Sequence, residues 1–438
     1  MSRNDTNYTH TYSTMPLIAL LQPYWDILSW LQAPSQLTRA EATMFHYVAL
    51  VTVATPFAIV CYLARRPGTR PYRLVLALLF APIQLLLMAA VRWAPPKELP
   101  FNVFLTMAGI QVAIRMLELG YSPEGAKRID EATLGSLRKT GKQETIQATI
   151  ADTADLAFTV RGVKYEFGRG VKLSRDWRPL NDRTAWMLRT LTHYIIPNFL
   201  VFDFTNSYFI RSPEIYSIVM EEIDFRQLDW PQKTVIKFFL ATMVITGLSF
   251  VYHIIALSCV AILDMAPDEW PVIFGRPWTA RSLHAFWGVE WHQILRRTFL
   301  VTGGYPLGFF FGRAGIVLGV FMSSGLLHSI MLIADGEPMS WATFFFFTIQ
   351  ALGFVIERIW RRISGRRVGG ILGNVWVVVW LAVAVEQTGI ASTWLRRGAA
   401  SVKLVPAWMS PSNLALNVVY PDFTAYTIHP SNSIGSVP

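Results

Sequence analysis

The residues best equipped for chemistry fall in two short pieces of the chain. The first runs from Arg276 to Arg297, RPWTARSLHAFWGVEWHQILRR, and nowhere else are Trp, His and Arg so concentrated. The second, Ser323-Ser324-Gly325-Leu326-Leu327-His328, lies inside an apolar stretch. An ionisable side chain in such a stretch marks a functional site by default, the plainer reading being a histidine bonded to a neighbouring helix. Ser324 precedes His328 by one helical turn, so its hydroxyl falls on the same face. An imidazole withdrawn from water favours its neutral form. Neutral imidazole can take a proton from an alcohol, and such general-base help contributes about 10²–10⁴-fold. His292 lies between Trp291 and Gln293, with Arg281, Arg296 and Arg297 near it in sequence. Guanidinium groups suit phosphates because they present forked donors that do not lose their charge. The plainer reading of the same residues is a Trp and Arg belt at a membrane surface.

The elements that must position these residues are membrane helices. Of 438 residues, 53% are hydrophobic and only 16% charged, against roughly 25% charged in soluble domains. The apolar residues come in blocks, and mean hydropathy is +0.35. Blocks of that kind are spanning helices, which satisfy their own backbone hydrogen bonds. The net charge of +10 fits basic cytosolic loops; no zinc-finger or RNA-binding spacing supports nucleic acid as a partner. The two cysteines, Cys61 and Cys259, both sit in apolar runs, which excludes a disulfide framework or a cysteine metal site. No histidine cluster suggests a metal either.

The expected architecture is all-α and polytopic: about eight transmembrane helices plus a re-entrant or interfacial segment. Residues 1–41 form a lumenal or interfacial tail without a cleavable signal pattern. Its Asn4 and Asn7 begin two Asn-x-Thr sequons, which are glycosylation acceptors on a lumenal tail. A membrane domain follows over 42–392, and 393–438 form a C-terminal tail. Spans are expected near 42–64, 73–91, 101–119, 188–209, 235–263, 314–334, 341–355 and 368–385. The third contains Gln111, Arg115 and Glu118, so it should face protein. Residues 121–183 make a long polar loop, with a short strand near Thr159–Phe167. The catalytic core is expected over 264–334. Arg-rich segments place 121–183, 264–298 and 358–367 in the cytosol and the N-terminus in the lumen. Two of those segments bracket spans 314–334 and 341–355, so Phe299–Phe311, short and glycine-rich, should not cross fully.

Arg281-Ser-Leu-His-Ala-Phe-Trp-Gly-Val-Glu-Trp-His292-Gln293 resembles the signature of the wax-synthase domain within the membrane-bound O-acyltransferase superfamily. Pro271-Val-Ile-Phe-Gly-Arg-Pro-Trp278 is also similar to that family, and Ser-Gly-Leu-Leu-His328 resembles its intramembrane histidine motif. The resemblance is specific over Pro271–His328, and within the group fungal acetyltransferases acting on terpenoids and meroterpenoids are most similar. It implies a multi-pass membrane enzyme, in the endoplasmic reticulum, that moves an acyl group from acyl-CoA to a hydrophobic alcohol. Acetyl-CoA is then a co-substrate and no cofactor stays bound. By position, His328 matches the superfamily's catalytic histidine. His292 falls where related enzymes carry Asn after Trp, in a role that polarises the acyl carbonyl or positions the donor. Arg281, Arg296 and Arg297 are the expected contacts for CoA phosphates by their chemistry, with Trp287 and Trp291 lining the donor. No Ser or Cys nucleophile sits beside a base, so transfer is expected to be direct. A long-chain wax ester synthase is the alternative within the group. Two readings outside it stay open: a transporter using His193, His253 and His328 as a proton path, and a non-catalytic membrane partner docking through its Trp-rich loop.

Overall fold

The computed structural model describes residues 40–41, 44–92, 99–135, 145–211, 215, 225–334, 339–396 and 407–419. The sequons at Asn4 and Asn7 lie outside these. Apart from its loops, the described chain is helical, with a two-residue parallel pairing of Ala40–Glu41 with Val91–Arg92 and an isolated antiparallel bridge between Arg128 and Tyr165. Its helices are α1 (Met44–Ala64), α2 (Arg70–Ala90), α3 (Leu99–Tyr121), α4 (Ile146–Phe158), α5 (Arg183–Thr190), α6 (Ile196–Arg211), α7 (Trp230–Ile262), α8 (Arg296–Phe299), α9 (Tyr305–Ala334), α10 (Trp341–Thr348), α11 (Gln350–Ser364), α12 (Gly370–Thr388), α13 (Ile390–Arg396) and α14 (Pro411–Val419). Among the described residues, seven helical runs are long and apolar enough to cross a bilayer. The protein is accordingly a multi-pass membrane protein. The expected span at 188–209 is not among the seven: α5 gives way to a π-helical turn, Leu191–Ile195, before α6.

The run from Arg296 to Ile333 is counted as 38 residues. Straight, it would be about 57 Å long, nearly twice the thickness of a hydrocarbon core. It folds back at Gly312, whose φ of 58° and ψ of −142° lie outside the helical range. Only glycine takes such a backbone at little cost. The two arms pack so closely that a methyl group on Gly303 or Gly319 would overlap the other's carbonyl. Gly308 faces Ile316 and Leu307 faces Gly315, which fixes the arms as antiparallel. The first arm, Arg296–Phe311, is roughly 24 Å long, short of a full crossing, as its sequence suggests.

The longer arm then packs antiparallel on α10 and α11. Ser329 donates to the Ser340 carbonyl at 2.9 Å, Gly325 abuts the Phe344 backbone, and Phe321 meets Phe354 at 5.3 Å. The Gly312 turn and Ser364 therefore lie toward one end of the bundle. The polar region 121–183 is tied to the end of α1 and to Glu269 and Trp270 through arginines. Arg65 holds Glu131 at 2.5 Å and Asp152 at 3.1 Å. Arg128 reaches Asp155 and Glu269, and Arg178 reaches Asp176 and the Trp270 carbonyl. The expected strand near Thr159–Phe167 is instead a set of tight turns ending in a 3-10 turn at Glu166–Gly168. Gly162 and Lys164 both have positive φ, 71° and 65°, which an extended strand does not accommodate. As expected from its polar residues, α3 faces protein: Gln111 accepts from Thr298 at 2.6 Å, and Glu118 pairs with Arg115 and Arg297.

Candidate functional site

The segment 264–298, expected on the cytosolic side, packs much of its length into the bundle. Val272, Ile273, Phe274, Leu283 and Phe286 are all buried. Their apolar side chains explain this: a segment carrying them cannot stay in water without losing its largest source of stability. Gly275 N–H donates to the Glu290 carbonyl at 2.9 Å, and Arg276 N–H to the Glu290 carboxylate. These two bonds close residues 275–290 into one loop. Inside it, Ser282 caps a turn of helix, Leu283–Ala285, by accepting from Ala285 N–H. The Glu357 carboxylate, reaching across from α11, accepts from Leu283 N–H at 2.6 Å and His284 N–H at 3.3 Å. An anion at a helix start satisfies N–H groups that have no partner in the helix.

Past that turn the backbone widens into a π turn, Phe286–Glu290. Trp291 N–H closes it on the Phe286 carbonyl at 2.8 Å. The buried Gln293 amide then donates to the carbonyls of Trp287 and Trp291, at 2.8 and 2.9 Å. Gln293 thus holds the chain on both sides of His292. The His292 ring lies edge-on to Phe274 at 5.7 Å and beside Trp291 at 5.7 Å. Its Nδ1 is buried and has no hydrogen-bond partner. Burial, with added repulsion from His328 and Arg161, pushes its imidazole down to about 3.

His328 sits on the long arm of α9. Its Nδ1 is 2.7 Å from the Ser324 carbonyl oxygen. A carbonyl can only accept, so Nδ1 carries the proton and Nε2 keeps a free lone pair. The backbone of Ser324 does this, not the hydroxyl that the i−4 spacing brought to notice. Phe347 of α10 stacks on the ring at 4.2 Å, fixing its plane. Trp287 meets both Trp291 and Phe347 edge-on. A chain of ring contacts therefore links His292 to His328 through Trp291, Trp287 and Phe347.

The other residues picked out by sequence divide. The Trp287 indole N–H is committed to Gln350 at 3.2 Å, an acceptor shared with Trp380. Trp287 is thus a wall held from behind. Trp291 makes ring contacts only. Arg297 pairs with Glu118 at 2.5 Å and donates to the Tyr305 hydroxyl, so it ties the short arm to α3 and is not free for a ligand. Arg296, half-buried, and Arg281, exposed, have no carboxylate partner among the described residues. Among the described residues no group of His, Cys, Asp and Glu is arranged to hold a metal. Both cysteines are buried and free.

Sequence reasoning missed three residues that hold this arrangement. Gln350 and Glu357 stand out in retrospect as the polar side chains in an otherwise apolar run, a signal that intramembrane position gives by itself. Arg161 had no such signal. It is buried, 111 residues from Val272, whose carbonyl it binds at 3.0 Å; it also binds the Pro271 carbonyl at 2.6 Å and the Tyr252 hydroxyl.

The depressed His292 value has a sign that can be checked. Between about pH 6.5 and pH 3 the unfolded chain takes up a proton at this residue that the folded chain refuses. Stability contributed by neutral His292 is therefore present above pH 6.5 and lost as pH falls. Replacing His292 with Asn should flatten the acid-side fall of the thermal midpoint between pH 6.5 and 4.5, relative to wild type. The difference between the two curves removes the contribution of every other group. Parallel curves would mean that His292 takes a proton in the folded state.

Comparison with known proteins bears on the same segment. The sequence model of the "Membrane bound O-acyl transferase family" matches residues 270–349, which contain both histidines. "Acetyltransferase spyB" of Aspergillus fumigatus is 25% identical over 64% of this chain and 54% of its own length. "Acetyltransferase eriL" of Hericium erinaceus is 24% identical over 42% of this chain and 50% of its own. "Acetyltransferase ple2" of Rhodocybe pseudopiperita is 27% identical over 56% and 66%. The matched part thus spans about half to two thirds of these relatives. The resemblance to the membrane-bound O-acyltransferases holds at this level.

Proposed function

We propose that the protein is an acyl-CoA-dependent O-acyltransferase of a membrane, acting on a hydrophobic alcohol. The observation that carries the reading is the His328 ring: its Nδ1 proton is held by the Ser324 carbonyl, so Nε2 is the basic nitrogen. In this reading the alcohol oxygen attacks the thioester carbonyl while Nε2 takes the hydroxyl proton. The tetrahedral oxyanion is stabilised beside His292 and the Trp291 indole, in a region of low dielectric where such donors act strongly. Collapse breaks the carbon–sulfur bond, and the leaving thiolate receives the proton from His328. Neutral His292 suits this role, because it can offer an N–H without bringing a second positive charge beside His328.

The names of the relatives favour acetyl as the group transferred; a terpenoid or meroterpenoid acceptor and the endoplasmic reticulum as the membrane rest on the sequence resemblance over Pro271–His328 alone. Purified protein in nanodiscs, given labelled acetyl-CoA or palmitoyl-CoA with a panel of terpenoid and fatty alcohols, tests this. Acetyl esters of the terpenoids are the expected product. Palmitoyl esters of fatty alcohols would make it a wax ester synthase, and no ester with any pair would overturn the enzyme reading. The transporter reading gains nothing here: His193 is exposed, whereas His253 is sealed under Tyr194 at 4.5 Å.

Arg296 is the better placed of the two adjacent arginines to meet a CoA phosphate, since Arg297 is already paired. A charge-assisted contact is worth about 1.5–3 kcal/mol. Arg296→Ala should therefore raise KM for the acyl donor roughly tenfold to a hundredfold, with KM for the alcohol little changed. A wild-type donor KM would leave Arg296 as an interfacial anchor.

A further inference from the structure

The C-terminal half of α11 and the turn after it form a surface that the proposed reaction does not use. Arg358, Arg361 and Arg362 lie on the last turns of α11, and Arg366 and Arg367 in the turn that leads to α12. All five are exposed. None has an ion-pair partner among the described residues. From Trp341 to Val385 the one acid in the sequence is Glu357. Glu357 is committed elsewhere, to the N–H groups of Leu283 and His284 and to the Trp376 indole. The positive charge is thus uncompensated over the whole helix end.

Beside the arginines runs a second exposed stripe. Ile359, Trp360 and Ile363 are 48%, 52% and 81% exposed. Ile371 and Leu372, across the turn, are 85% and 84% exposed. A helix end that is bare on both its cationic and its apolar sides has the composition of one lying at a lipid headgroup boundary. The run Trp341–Ser364 has 24 residues, about 36 Å, so its last turn emerges from a hydrocarbon core roughly 30 Å thick. The turn itself is built: the Ser364 hydroxyl accepts from Arg366 N–H and donates to the Trp360 carbonyl.

We propose that this surface binds the headgroups of anionic phospholipids in the surrounding leaflet, with Ile359, Trp360 and Ile363 seated among the acyl chains. The argument for a lipid over a soluble phosphate is the apolar stripe, which a CoA phosphate has no use for. The same helix carries Glu357, which caps the turn leading to His292. Holding the end of α11 at the membrane surface therefore also steadies that carboxylate under Leu283. This second step rests on the O-acyltransferase reading, whereas the lipid binding does not.

The test uses the full-length protein reconstituted in phosphatidylcholine, with trace spin-labelled phosphatidylglycerol or phosphatidylcholine. The fraction of each lipid immobilised on the protein is measured. At low salt phosphatidylglycerol should be favoured by at least about fivefold, and the preference should fade in high salt. It should disappear when all five arginines are changed to Gln, and fall partway in Arg366→Gln with Arg367→Gln, a pair outside the helices that leaves α11 intact. Equal immobilisation of the two lipids by wild type, or an unchanged preference in the five-fold variant, overturns the proposal. If instead that variant keeps its lipid preference but shows a raised KM for acyl-CoA, the phosphate bound here belongs to the donor, and the lipid proposal falls. If the lipid preference is present but no ester is ever formed, the surface stands and the enzyme reading fails.

Discussion

His328→Ala is expected to lower turnover per folded molecule by about 10²–10⁴-fold, the usual contribution of a general base. The magnitude follows from what the structure gives the ring to do. One nitrogen is fixed as a donor by the Ser324 carbonyl, and the plane is fixed by the Phe347 stack. The remaining nitrogen is the only part of the side chain with freedom to act on a substrate. Alanine removes that nitrogen together with the Nδ1 bond to the Ser324 carbonyl and the ring stack on Phe347, and the space it leaves in the packing lowers stability as well. Expression level is therefore no measure of the chemistry. The informative pair of measurements is turnover normalised to folded protein, and acyl-CoA binding. Lost turnover with retained donor binding fits a base. Turnover within a few-fold of wild type would place the base elsewhere.

The second large effect is expected at Arg161, far in sequence from either histidine. Arg161→Met removes the donors that serve the Pro271 and Val272 carbonyls and the Tyr252 hydroxyl. The Pro271 carbonyl keeps the Tyr252 hydroxyl as a donor at 2.8 Å, whereas the Val272 carbonyl loses its donor, and a buried acceptor without a partner costs about 1–3 kcal/mol. The loss falls on the segment that presents Phe274 to the edge of His292. A marked drop in thermal midpoint is expected, together with new protease cleavage at 270–274, which is buried in the wild type. Arg161→Lys keeps a charge but loses the fork, so it should fall between the two. A wild-type midpoint in Arg161→Met would show that the buried guanidinium does not hold this segment.

The contrast between these residues shows what a sequence can and cannot carry. His328 was legible because an ionisable group in an apolar run needs a reason to be there, and that reason is local. The short arm Phe299–Phe311 was legible as a non-crossing element because charge on the flanking segments constrains how often the chain can cross. How residues 264–298 pack into the bundle was not legible, since their Trp, Arg and His content suggests a membrane surface. Their burial depends on Glu357, Gln350 and Arg161, which reach them from elements 63 to 111 residues away. The pairing of Arg297 was not legible for the same reason. Its partner Glu118 is 179 residues distant, and a sequence does not display which charges neutralise one another.

The fold-back at Gly312 also bears on how the protein is made. His292, the short arm, the turn and His328 follow one another in a single stretch of chain, so the two imidazoles meet as near neighbours in sequence. Closing such a short loop carries little entropic penalty. The hairpin can form as soon as its second arm leaves the ribosome, before α11 and α12 exist to surround it. The late steps are the distant ones, in which Gln350 and Glu357 arrive from downstream and secure a core already folded. A nascent chain ending just after His328 would contain the hairpin and both histidines, and lack Phe347, Gln350 and Glu357, which fix their surroundings.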